Sequence, residues 1–118
     1  MTDYQTSEFQ VTPEDLLAGV AVTYDVTVPA QFLQREVNGQ PSDKNLVLQI
    51  RPLTIGTFQL IMKAARQDAG LIPLLMIKES LVRPALSLEQ VKQLHLGLVN
   101  FLIAHIREIS GLTEKKSH

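Results

Sequence analysis

Hydrophobic and polar positions along this chain follow two different periods, and the change falls near Arg51. Over residues 20–28 the larger apolar side chains recur at every second position. Val20, Val22, Tyr24, Val26 and Val28 fall on one side, and Ala21, Thr23, Asp25 and Thr27 on the other. Successive strand side chains point to opposite faces, so the alternation predicts a strand with one apolar face. Pro29 has no N–H for a ladder and closes it. Leu46, Leu48 and Ile50, interleaved with Val47, Gln49 and Arg51, repeat the pattern as far as Pro52. Between the two, Asn38-Gly39 is a turn signal because both residues tolerate positive φ, and residues 32–37 read as a short strand entering that turn. A small antiparallel sheet of two or three strands is expected.

Upstream of the sheet, Thr12-Pro13-Glu14-Asp15 reads as a helix start. Thr12 caps, Pro13 sits where its missing N–H costs nothing, and the two acids face the positive end of the helix dipole. Gly19 is expected to stop this helix, and residues 1–10, without periodicity, read as an arm.

Beyond Pro52 the period is helical. Thr54 is expected to cap a helix over 54–68, with Ile55, Phe58, Ile61, Met62 and Ala65 on its inner stripe and Gly70 in the left-handed stop position. A second helix is expected over 71–81, with Pro73 tolerated in its first turn and Arg83-Pro84 unable to continue it. A third is expected over 87–109. Ser87-Leu88-Glu89-Gln90 fits a capping box, and Leu88, Val91, Leu94, Leu98, Leu102 and Ile109 form the stripe, widened by Val99, Phe101, Ile103 and Ile106. Ser110-Gly111-Leu112 predicts a Schellman stop with Leu112 folding back towards Ile106.

The fold class expected is therefore α+β: a small antiparallel N-terminal sheet followed by a three-helix C-terminal bundle, in one domain over 1–118. Its core should include Val22, Val26, Leu48, Ile50, Phe58, Ile61, Met62, Leu94, Leu98, Leu102 and Ile106.

Composition agrees with one folded domain: 118 residues, of which 45% are hydrophobic and 19% charged. The net charge is −1, but it is unevenly spread. Residues 1–50 carry seven acids against two bases, a net −5, and residues 51–118 nine bases against five acids, a net +4. An acidic sheet-rich half (1–52), a basic helical half (53–112) and a short polar tail (113–118) suit two halves that pack on each other, or head-to-tail contact between copies. With no cysteine, disulfides and thiolate chemistry are excluded. No apolar run approaches the roughly 18 residues of a membrane span and no basic, apolar leader is visible, which suits a soluble, cytoplasmic chain.

The titratable residues form no catalytic pattern. His95 and His105, if on one helix, stand about 15 Å apart along the axis and about 80° apart in rotation, too far to share a metal. Glu108 is the one acid at helical spacing from either of them, and a His105–Glu108 pair reads as a surface contact. No serine lies in a Gly-x-Ser-x-Gly elbow, and the glycines form neither a dinucleotide fingerprint nor a phosphate loop. A helix-turn-helix reading of the last two helices fails on charge: the third helix has only Lys92 and Arg107 as bases, with Glu89, Gln93, Asn100 and Glu108 on its polar face. No catalytic residue, cofactor, metal or nucleic-acid partner is expected.

The informative stretch is Leu71-Ile72-Pro73-Leu74-Leu75-Met76-Ile77, which is apolar on every side. Either neighbouring helices cover it all round, or one side packs inward and the other meets a partner helix or a second copy. On the second reading Leu71, Leu74, Leu75 and Met76 are the partner-binding residues, and changing Leu75 or Met76 to lysine should weaken association while leaving the fold intact.

Three pieces carry a resemblance. Ile50-Arg51-Pro52-Leu53-Thr54 leads into the first long helix, Pro84-x-Leu86-Ser87-x-Glu89-Gln90-Val91 into the third, and Glu108-Ile109-Ser110-Gly111-Leu112 closes it. In this order they resemble the tail assembly chaperones of long-tailed phages, accessory proteins encoded beside the tape-measure gene; related contractile injection particles encode small proteins of similar size. The resemblance covers residues 46–112. It implies a non-catalytic protein of the host cytoplasm that binds hydrophobic helical segments of a tape-measure or tail-tube protein. The alternative is a permanent structural subunit of a tail, baseplate or injection particle, in which strand 20–28 pairs with a neighbouring subunit.

Overall fold

The computed structural model describes residues 10–32, 36–37, 40–41 and 46–112. The expected arm over 1–9, the Asn38-Gly39 turn and the tail over 113–118 lie outside the described residues, as do residues 33–35 of the strand expected over 32–37.

The architecture is α+β, with an antiparallel sheet whose strands come from both halves of the chain. A short helix α1 (Pro13–Leu17) runs on into a 3₁₀ turn (Ala18–Ala21), then strand β1 (Tyr24–Val28) and a second 3₁₀ turn (Ala30–Phe32). A two-residue ribbon pairs β2 (Glu36–Val37) with β3 (Gln40–Pro41) in antiparallel fashion. Strand β4 (Leu46–Ile50), helices α2 (Ile55–Ala64) and α3 (Leu71–Ser80), strand β5 (Leu81–Arg83) and helices α4 (Leu88–Val91) and α5 (Leu96–Ile109) complete the order.

The main sheet runs β1-β4-β5. Val26 stands opposite Leu48 and Val28 opposite Leu46, so the predicted apolar faces of the two strands coincide. Val26, Val28 and Ile50 are buried against the helices. The strand is shorter than its periodicity: Val20 lies in the 3₁₀ turn, Val22 just beyond it, and both are exposed, so Val22 leaves the expected core. Gly19 does not stop α1 but sits inside that turn.

Strand β5 is the larger surprise. Its three residues are too few for a period, and they fall where the second helix was expected to end. Ser80 makes the switch. Its hydroxyl, fully buried, donates to the Arg51 carbonyl at 2.6 Å, while the Arg51 N–H donates to the Ser80 carbonyl at 2.9 Å. These two bonds stop α3 and set Leu81 and Arg83 beside Ile50 and Gln49.

Among the helices, the Thr54 hydroxyl caps α2 by accepting from the Thr57 N–H at 3.1 Å. Only Ile61 of α2 is buried, with Ala65 just past its end; Phe58 is half-buried, and Ile55 and Met62 are exposed. Met62 therefore also leaves the expected core, because α2 lies on the flank of the bundle and packs mainly on α3. Gly70 is right-handed and opens α3 instead of closing α2 from a left-handed position.

The expected third helix is two helices. The Ser87–Gln90 capping box forms and starts α4, but α4 ends at Val91. His95 then starts α5: its Nδ1 accepts from the Leu98 N–H at 3.3 Å. Val91, Leu98, Val99, Leu102 and Ile106 are buried as their stripe requires. Gly111, at φ +75°, ends α5 in the predicted Schellman geometry, with Gly111 N–H on the Glu108 carbonyl and Leu112 N–H on the Arg107 carbonyl at 2.8 Å. The Leu53 N–H donates to Ser110 Oγ at 2.9 Å and ties the entry of α2 to the end of α5.

Candidate partner-binding surface

Helix α3 is the hub of the helical half, packed against α2, α4 and α5. Its all-round apolar sequence is thus mostly explained by its neighbours. Met76 is 4% exposed and Ile77 wholly buried; both belong to the core. Met76 accordingly drops out of the expected partner surface. Leu71, Leu74 and Leu75 are half-buried, and Leu74 and Leu75 pack against the core while keeping part of their surface.

The surface that stays open lies between α2 and α3. A groove of about 520 Å³ is lined by Thr57, Leu60, Ile61 and Ala64 from α2, by Leu75 and Glu79 from α3, and by Lys63 at its rim. Positions 57, 60, 61 and 64 follow the i, i+3, i+4, i+7 rule and therefore share one face of α2. Leu75 and Glu79, one turn apart, form the facing wall. Leu60 is 67% exposed, so a large apolar side chain stands uncovered beside a half-buried leucine. On the other flank of α2, Phe58, Gln59, Met62, Lys63 and Arg66 line a shallower hollow of about 460 Å³.

Of the four residues expected to bind a partner, the structure brings only Leu75 into this groove. Leu60, the main apolar feature of the other wall, was not among them. Its signal was present in the sequence: a leucine outside the predicted inner stripe of an amphipathic helix has no core to enter. The charges are arranged simply. Lys63 lies on the α2 side of the groove and Arg66 on the other flank, neither with an ion pair to another described residue, while Glu79 lies 3.5 Å from Lys78.

A second cluster joins the two halves of the chain. The His95 ring, whose Nδ1 caps α5, uses its Nε2 to reach the Phe32 carbonyl. Because Nδ1 accepts, Nε2 carries the hydrogen and donates. The Phe32 ring lies 5.7 Å from that of His95 and 5.5 Å from that of Phe101, which meets His105 edge-on at 4.7 Å. A Cβ on Gly97 would come within 3.0 Å of the Phe32 ring, so glycine lets the ring lie against the first turn of α5. Both ring nitrogens of His95 are thereby engaged in structure. His105 lies on the same helix that His95 caps, ten residues and about 15 Å further along its axis.

Among the described residues no group of three or more histidines and carboxylates is placed to hold a metal ion, and no helix is long and apolar enough to cross a membrane. Comparison of the chain with known protein families, with characterised proteins and with solved structures finds no match.

Proposed function

We propose that this chain is a non-catalytic binding protein of the tail assembly chaperone kind, which shields an apolar helical segment of a tape-measure or tail-tube protein. The observation that carries the reading is the groove between α2 and α3, where Leu60 is exposed opposite Leu75. An amphipathic helix docks by laying an i, i+3, i+4, i+7 stripe into such a groove, and the α2 wall carries that spacing on its own side. The resemblance over residues 46–112 supplies the kind of client.

A permanent structural subunit is the second reading. It is favoured by β1, which among the described residues pairs along one side only, with β4, and so offers an edge for strand addition. Mass analysis of assembling cells and of purified particles separates the two. The proposal expects the chain to co-purify with the tape-measure protein during assembly and to be absent from finished particles. A stoichiometric chain in the particle favours the structural reading. If the chain is absent from both, the assignment to tail assembly fails.

A further inference from the structure

Every residue from Gln10 to Asp25 is exposed. This is unusual for a segment that contains Val11, Leu16, Leu17, Val20 and Val22, of which Leu16 is 77% and Leu17 60% exposed. The segment is nonetheless shaped. Thr12 and Asp15 form a reciprocal capping box: the Thr12 N–H donates to the Asp15 carboxylate at 2.9 Å, and the Asp15 N–H donates to the Thr12 hydroxyl at 3.2 Å. Leu16, Leu17 and Val20 follow at i, i+1, i+4 and share one side of the turn that they form. Among the described residues the chain therefore holds a preformed helical start with an apolar side that the core does not use, and a groove with an apolar floor that none of them fills.

We propose that residues 11–22 of one copy dock in the α2–α3 groove of a second copy, joining copies head to tail. Charge favours this pairing. The segment carries Glu14 and Asp15, and the α2 side of the groove carries Lys63. Glu79 on the facing wall is already neighboured by Lys78. The same complementarity runs through the whole chain, with −5 on residues 1–50 and +4 on residues 51–118. The partner is a second copy and not the same chain, because among the described residues segment and groove stand uncovered together. The capping box lowers the ordering cost of docking, since the first turn exists before contact. A head-to-tail contact uses two different patches, so each added copy leaves one segment and one groove free, and association grows with concentration.

The proposal shares the groove with the proposed function but needs no client, so it is tested on the pure chain. Light scattering coupled to size exclusion, over a range of concentrations, should show the wild-type chain rising in mass. Leu16→Glu removes the segment's anchor and Leu60→Glu the groove's; both residues are exposed, and each variant alone should weaken association about tenfold or more. Mixed one to one, the two variants should form a dimer, because the Leu60→Glu copy still has an intact segment and the Leu16→Glu copy an intact groove. Circular dichroism checks that both remain folded. If either does not, Glu14→Lys and Lys63→Glu carry the same test, each weakening association alone and restoring it when mixed. A wild-type chain that stays monomeric, a variant that associates like the wild type, or a mixture that stays monomeric (as insertion into the same chain would give) overturns the proposal. Client binding that survives this failure leaves the proposed function standing.

Discussion

Ser80→Ala tests how the two halves of the fold are joined. The Ser80 hydroxyl is fully buried and donates to the Arg51 carbonyl at 2.6 Å, at the point where α3 turns into β5 beside the end of β4. Alanine fits the same space without a new clash, and the main-chain bond from Arg51 N–H to the Ser80 carbonyl is retained. The substitution thus isolates one hydrogen bond. A made hydrogen bond contributes about 1 kcal/mol, and a buried acceptor left without its donor costs about 1–3 kcal/mol. Arg51 itself is exposed, so water regains part of its carbonyl and the lower part of that range applies. The expected loss is about 1.5 kcal/mol, which lowers the melting temperature by about 5–8 °C for a domain of this size. Urea unfolding followed by circular dichroism measures it as a lower midpoint with an unchanged slope. A midpoint within error of the wild type would refute the claim that this hydroxyl fixes the α3–β5 switch.

Three further outcomes follow from the structure. His95→Ala removes the cap on α5 and the bond to the Phe32 carbonyl, and should cost about 1 kcal/mol in urea unfolding; His95→Asn, which can still cap, should recover part of it, and an alanine variant as stable as the wild type would contradict the assignment. The Thr12 backbone N–H, and then its hydroxyl, hold the Asp15 carboxyl below the usual aspartate range. The capping box should therefore be fully present above the ordinary aspartate pKa and lost only as pH falls through the lowered one; the Thr12 amide resonance followed against pH reports this, and a midpoint at or above the ordinary value would contradict it. Met76→Lys should destabilise the fold by about 3 kcal/mol or more because the ammonium enters the core, whereas Leu60→Lys should stay within about 0.5 kcal/mol of the wild type. Equal effects of the two in thermal unfolding would contradict the division between core and surface.

What the sequence reveals here is whatever a few neighbouring residues decide. The Thr12, Thr54 and Ser87 caps and the Gly111 stop depend on side chains or a φ angle within one turn, and each appears where its local signal stands. The alternation within β1 and within β4 is equally local, and their apolar faces coincide when the two strands pair. Features set by distant contacts are not visible. Strand β5 exists because Ser80 meets Arg51, and α5 begins afresh because His95 caps it and reaches Phe32. The stripe expected on α2 fails at Ile55 and Met62, both exposed, because an apolar stripe says how a helix could pack, not how much of the neighbouring molecule is there to cover it. The candidate surface was legible in kind, as excess apolar area around the second helix. Its place was not: Met76 went inward, and Leu60, across the groove from Leu75, took the exposed position.

The central claim is that this groove receives an apolar helical segment. For the proposed client, the most direct measurement is co-expression of the chain with the tape-measure protein of a long-tailed phage, quantifying how much of that protein co-purifies with the wild-type chain and with Leu60→Glu. Burying one leucine is worth about 1.5–3 kcal/mol, so the variant should retain at least about tenfold less while remaining folded by circular dichroism. Equal retention by a folded Leu60→Glu chain would contradict the account.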